Sequence, residues 1–283
     1  MTPLKPNILL ITCHDLGRHL SCYGRQPLST PNLDRLASEG ILFTRHFCSA
    51  PSCSPSRGSI MTGRYPHSNG LMGLVNLGWE LPMSERTLPQ YLADHGYRTA
   101  LCGIEHERSD WKTLGYGKRI GTGFGRGAKE KAQAVIEFLK QATPEPFFLS
   151  FGTTETHRPF KTEGLDEHAP AYMPPYLPDN RIVRLQMIAF GKLVTELDEA
   201  VGTILHALDD TGLSERTLVV FTTDHGIDMP RAKGTLYDPG IEAALIMGQP
   251  GVIDAGRRSA ELLSNVDILP TVLEACQIEP QSA

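Results

Sequence analysis

The 283-residue chain has no run of like charges, no internal repeat, no low-complexity segment and no composition shift that would mark an interdomain linker. Its formal net charge of −5 speaks against a general nucleic-acid binder, because a phosphate backbone demands a basic surface. The apolar run Asn7 to Thr12 is too short, and too soon followed by charged residues, to be a signal peptide or a membrane span. The chain as written is therefore expected in the cytoplasm, or in the periplasm if a leader has been removed, with no membrane partner. The six cysteines (Cys13, Cys22, Cys48, Cys53, Cys102 and Cys276) lack metal-type spacing, and Cys48 and Cys53 do not form a CxxC pair. No disulfide framework is expected, and the five cysteines other than Cys53 read as small core hydrophobes. The missing resolving partner also weighs against a thiol or redox enzyme acting through Cys53.

What is present is ordinary for a soluble enzyme, with 40% hydrophobic and 21% charged residues. The length suits one large α/β domain over residues 1–283. Apolar, β-rich runs alternate with helical periodicity. Asn7 to Thr12, Tyr97 to Gly103, Pro146 to Phe151 and Thr217 to Thr223 read as buried strands, with further strands at Ile41 to Phe43 and Ala243 to Met247. Thr30 to Gly40 reads as a short helix with an N-cap threonine, a proline at its first position and a closing glycine. Thr87 to His95 and Lys129 to Gln141 read as helices, and Asn180 to Asp209 as a long one with a kink near Gly191. Tyr65 to Gly70 and the proline-rich His168 to Pro178 read as loops, the second shaping an entrance. Gly115 to Gly127 also reads as loop; its Gly-x-Gly patterns lack the strand and downstream acid of a dinucleotide site.

The polar clusters follow the strands. In open α/β sheets ligands gather beyond the carboxyl ends of strands, and there the chain places His14-Asp15, His106, His157 and Asp224-His225. Taken singly, such an Asp is usually a cap, such a His a hydrogen-bonded structural residue and Lys233 a solvated surface lysine. Cys53-Ser54-Pro55-Ser56-Arg57 opens a segment of helical character closing at Gly63, so the cysteine sits at a positive helix end. Arg57, four residues on, shares its face. A nucleophile beside a fixed cation is a sensible place for an anionic group to react.

This stretch resembles the signature of the type I sulfatases, in which Cys-x-Pro-x-Arg directs conversion of the cysteine to formylglycine. Cys53, Pro55, Arg57 and Thr62-Gly63-Arg64 fall where that family has them. Further similar segments occur in the family's order: Thr30 to Phe43, Tyr65-Pro66-His67-Ser68-Asn69-Gly70, His157-x-Pro-Phe, Lys233-x-Thr-x-Tyr-Asp and Ser264 to Leu273. The closest likeness is to the heparan N-sulfatase branch. Two positions depart from the pattern. His14 stands where the family has the first Asp of Asp-Asp-x-Gly, and Ile104 replaces the lysine of Gly-Lys-x-His.

The resemblance implies an alkaline-phosphatase-like α/β sandwich with a mostly parallel sheet, and a metal-dependent sulfuric ester hydrolase cleaving a sulfate ester or N-sulfate, with a weak pointer to a sulfated sugar. Catalytic roles would fall to Cys53 as formylglycine, Arg57, His106, His157 and Lys233, with His157 and Lys233 binding sulfate. One divalent metal would be held by Asp15, Asp224, His225, His14 and the modified Cys53. It is calcium by family, and manganese, magnesium or zinc become credible with the nitrogen donor of His14, unless His14 only orients a ligand. The partners implied are a small anionic sulfated substrate and a formylglycine-generating or anaerobic sulfatase-maturating enzyme. The likeness covers the family's N-terminal catalytic part, and the small C-terminal subdomain is expected to be missing. Three rivals stay open: a phosphonate monoester or phosphodiester hydrolase on the same scaffold, a catalytically silent binding protein, and the thiol enzyme.

Overall fold

A computed structural model describes residues 5–121, 123–141 and 143–280. Its centre is β1 (Asn7–Cys13), a strand buried at every position. Side chains alternate across a strand, and here the alternation divides two cores. Leu9 and Ile11 enter one, while Ile8 and Leu10 enter the other. A strand apolar on both faces has to lie inside a sheet covered by helices on both sides.

The remaining strands are β2 (Ile41–Phe43), β3 (His46–Phe47), β4 (Arg98–Gly103), β5 (Lys118–Ile120), β6 (Phe147–Thr153), β7 (Thr217–Thr223), β8 (Leu245–Gly248), β9 (Arg257–Ser259) and β10 (Leu263–Ser264). Eight of them form one sheet in the order β5-β4-β6-β1-β7-β8-β2-β9, and β10 pairs with β3 separately. The pairings β5-β4-β6-β1-β7 are all parallel, and β8 runs antiparallel to both β7 and β2. The helices are α1 (Pro31–Glu39), α2 (Cys53–Thr62), α3 (Pro66–Asn69), α4 (Leu88–Asp94), α5 (Ala128–Lys140), α6 (Arg181–Asp210), α7 (Asp238–Ile241) and α8 (Ile268–Ala275). The α1, α5 and α6 side chains fill the core containing Leu9; those of α2, α4 and α8 fill the core containing Ile8. The expected α/β sandwich with a mostly parallel sheet is what the chain adopts.

Several local expectations need correction. The stretch Gly115 to Gly127 is not all loop, because Lys118–Ile120 adds β5 to the edge beside β4. Ile120 is the apolar anchor that draws it in. The strand expected over Ala243 to Met247 lies at Leu245–Gly248. Tyr65 to Gly70 contains one helical turn, α3. Thr30 does occupy the N-cap position of α1, yet its hydroxyl caps nothing and bonds Ser21 and Asp34 instead. The first-turn N–H groups of Asn32 and Leu33 are taken by Asp198 of α6, at 3.2 and 2.9 Å. A buried carboxylate satisfies two otherwise orphaned donors and ties the helices together.

Two glycines let the sheet build the site. Gly103, at the end of β4, has φ of +87°, and a Cβ there would fall 2.0 Å from the carbonyl oxygen of Gly152 on β6. A Cβ on Gly152 would meet the carbonyl oxygen of Ile104 at 2.2 Å. Only glycine permits this approach, which turns residues 104–107 across the top of the sheet.

Candidate active site

The registers Cys13 with Thr223, Cys13 with Thr153 and Gly103 with Gly152 end four neighbouring parallel strands at one level. The residues that follow each strand therefore converge: His14-Asp15, Asp224-His225, Ile104 to Glu107 and Thr154 to His157. Helix α2 points its N-terminus at the same place. All ten of its residues are buried, it starts at Cys53 and it closes at Gly63, whose φ is +65°. Ser56 locks it down by donating to the Asp224 carbonyl at 2.5 Å and accepting from Asn265 at 2.6 Å.

The centre is dense with charge. Ligand atoms of His14, Asp15, Cys53 and Asp224 all lie within 4.8 Å of one another, and those of His14, Cys53 and His106 form a second such group. His225 is not in either group, but its Nε2 lies 3.3 Å from Asp15 Oδ1, 3.6 Å from Asp224 Oδ1 and 3.3 Å from Cys53 Sγ. Lys233 Nζ reaches Asp15 Oδ2 at 2.8 Å and Asp228 at 3.7 Å. His157 Nε2 stands 3.9 Å from the same Asp15 oxygen. Asp15 adopts φ of +52°, a left-handed conformation tolerated by aspartate and characteristic of functional sites.

Burial and charge decide the protonation states. Desolvation pushes His14 down to about 3, and His106, also beside Arg57, down to about 4, so both are neutral with free lone pairs. Burial by itself would raise Asp224, but His225, His14 and Arg57 outweigh it and hold the carboxyl well below its usual range. Burial raises Asp15, with Asp224 adding to it, against the pull of His225 and Lys233. Lys233 is lifted above the ordinary lysine value, since the carboxylates of Asp15, at 2.8 Å, and Asp224 overcome its own desolvation. The Cys53 thiol is pushed far up by burial and then by Asp224 and Asp15; Lys233 and Arg57 do not restore it. The positive helix end thus does not yield a thiolate here.

A cation fits this donor set. His14 Nδ1 lies 3.0 Å from Asp224 Oδ2, yet both atoms, with His14 Nε2 and His106 Nδ1, are buried without a geometrically sound hydrogen bond. Orphaned buried polar atoms are rare unless an ion or water completes them. Two carboxylates with neutral imidazoles are donors that a divalent cation takes.

Arg57, 1% exposed, donates to Thr12 Oγ1 at 3.0 Å and the Ile104 carbonyl at 3.3 Å, lies 3.5 Å from Glu107, and its charge still acts on the Cys53 thiol. Glu107, also 1% exposed, accepts from the His106 backbone N–H at 2.8 Å. It is a residue the sequence reading missed. Glu105 and Glu107 flank His106 alike, but Glu105 faces Arg119 and Glu107 faces Arg57; nothing in the local sequence separates them. Thr156, also missed, holds the loop carrying His157 by donating to the His14 carbonyl. Ile104 is buried, so its position offers no cation. All six cysteines are free and five are buried; Cys22, expected in the core, is only half-buried.

A site of this kind, with metal-type donors and lysine and arginine side chains gathered round a cysteine at the carboxyl ends of a mostly parallel sheet, defines an alkaline-phosphatase-like α/β protein. The chain belongs to the Sulfatase family, which it matches over residues 6–278. It is 30% identical to N-acetylgalactosamine-6-sulfatase of Canis lupus familiaris, over 99% of this chain and 64% of that protein. It is 29% identical to N-sulphoglucosamine sulphohydrolase of Homo sapiens, over 95% of this chain and 60% of that protein. The crystal structure of phosphonate monoester hydrolase of Agrobacterium radiobacter shares the fold, with a TM-score of 0.78 and 21% identity over 97% of this chain and 74% of that one. Curated relatives such as these are matched over roughly half to two thirds of their length, with 53% for an ulvan-active sulfatase of Formosa agariphila.

Proposed function

We propose that the chain is the catalytic part of a sulfuric ester hydrolase acting on the sulfate ester or N-sulfate of a sugar, with Cys53 matured to formylglycine by a formylglycine-generating or anaerobic sulfatase-maturating enzyme. The observation that carries this reading is the thiol itself. Cys53 is buried, its Sγ lies within 4.8 Å of donor atoms of His14, Asp15 and Asp224 and 3.3 Å from His225 Nε2, so an oxygen nucleophile formed there on conversion would stand among the metal-type donors. The names of the sulfatases it resembles supply the sugar.

Asp15, Asp224, His14 and His225 would hold one divalent metal, and this set favours manganese or zinc over calcium. The metal would supply charge neutralisation at the ester oxygens and the matured residue a hydroxyl nucleophile. The chain's own groups do the rest. Lys233 and His157 bind the oxyanion, with no second lysine at the position of Ile104. His157, 31% exposed, is the group open to the leaving side and hands a proton to the departing oxygen or nitrogen. His106, neutral and half-buried, accepts the proton that restores the aldehyde. Arg57, fixed by Glu107 and Thr12, supplies positive potential behind the nucleophile without needing to move.

The test is the mass of the Cys53 peptide from protein produced together with a maturating enzyme, followed by parallel assays on sulfate and phosphonate esters. Replacement of the sulfur by an aldehyde oxygen and preference for the sulfate ester are expected. An intact thiol, or a preference for the phosphonate, would refute the proposal.

A further inference from the structure

We infer that Phe124 forms an aromatic wall of the leaving-group subsite, against which the apolar face of a ring-shaped substrate half stacks. The inference rests on the sulfatase reading above and extends it to substrate recognition.

Phe124 is 71% exposed, and a single exposed phenylalanine is by itself unremarkable. Its setting is what distinguishes it. The ring stands 6.5 Å from the His157 imidazole at 75°, and His157 in turn lies 5.7 Å from His14. Phe124 is thus one ring outward from the charged centre, on the side where His157 is open. A ligand whose anionic group sits between Lys233 and His157 would bring its remainder past this ring.

The loop that carries Phe124 is pinned to the segments that build the site. The Gly127 and Ala128 N–H groups both donate to Glu155 Oε1 at 2.6 Å, on the loop leading to His157. Arg126 donates to the carbonyls of His157 at 2.8 Å and Pro159 at 2.7 Å. Gly123 packs beneath Arg119, where a Cβ would lie 2.5 Å from the guanidinium. Arg119 itself grips Glu105 and the Gly103 carbonyl, beside His106. Polar anchors on both sides leave the one large apolar side chain between them facing out, beside His157. A ring with C–H groups on one face buries area against such a surface and gains the directional contact of an aromatic ring, whereas a small acyclic ester does not reach it.

The experiment uses the full chain with Cys53 unconverted, so that ligands bind without turning over. Dissociation constants are measured for methyl sulfate, N-acetylgalactosamine 6-sulfate and glucosamine 2-N-sulfate, in wild type, Phe124→Ala and Phe124→Tyr. Phe124→Ala is expected to weaken the sulfated sugars about tenfold while methyl sulfate changes less than about twofold, and Phe124→Tyr is expected to keep wild-type affinity. Equal losses for methyl sulfate and the sugars would overturn the inference, because the ring would then only prop His157. So would unchanged sugar binding in Phe124→Ala, or a wild type that binds methyl sulfate but neither sugar. A wild type that binds no sulfate at all would refute the sulfatase reading, and the subsite with it.

Discussion

The two halves of the site are built differently. Around Cys53, Asp15, Asp224 and Arg57 every side chain is nearly inaccessible, and each is fixed by strands, by a wholly buried helix and by several polar contacts. Around His157 and Phe124 the chain is loop, partly open, and held by a few hydrogen bonds from Arg126 and Glu155. The buried half has charge that would be costly to rearrange, so it suits chemistry that must be the same in every turnover. The open half can change its side chains without disturbing the sheet, so it suits recognition.

The comparison can be broken at its centre. Cys53→Ala removes the nucleophile from the buried half while leaving a small apolar side chain in its place. Turnover of a sulfated sugar by matured protein is expected to fall at least about 10⁴-fold, with the folded state retained by circular dichroism. Residual activity near wild type would show that the chemistry resides elsewhere.

Glu107→Ala tests whether burial makes that half costly to disturb. It leaves the Arg57 guanidinium buried and unpaired, and a broken buried pair costs about 3–5 kcal/mol. Denaturant unfolding should show a loss of that order, and a loss typical of a surface pair would mean Thr12 and Ile104 satisfy Arg57 alone.

Acid should act on the buried imidazoles. Desolvation lowers His19 and His46 from 6.5 to about 4. The unfolded chain then binds protons that the folded one refuses, so stability is complete above about pH 6.5, declines as pH falls, and levels off for these groups below about 4. Unfolding midpoints followed across that window should fall with acidification, and His19→Phe or His46→Phe should flatten the slope.

The smallest effect belongs to the open half. Gly125 has φ of +121° with nothing within 4 Å of where a Cβ would lie, so Gly125→Ala strains the backbone without a clash. That strain costs about 1–3 kcal/mol, which the loop can relieve by shifting Phe124. A several-fold higher KM for a sulfated sugar with little change in melting temperature is expected; a lower melting temperature with unchanged KM would place the loop in the structural half instead.

Much of this was readable from residue order. Periodicity located every strand from β1 to β7 except two short ones, β3 and β5, because a strand buried on both faces carries its apolar run in its own sequence. The register of short motifs brought His14, Asp15, Cys53, His106, His157, Asp224, His225 and Lys233 onto one list, and the structure gathers all of them beyond the strand ends. Harder to see were β5, with one buried anchor among polar residues, and the antiparallel sense of β8.

What the sequence by itself determined is the alternation of buried strands and amphipathic helices and the chemical types offered at the strand ends, since both are written in neighbouring residues. The tertiary structure alone decided that Asp198 caps α1, that Glu107 rather than Glu105 faces Arg57, that the Cys53 thiol is held protonated, and that Phe124 stands beside His157. Each of these depends on groups distant in sequence meeting in a low-dielectric interior or at its edge. There a partner's position, not its identity, sets the energy.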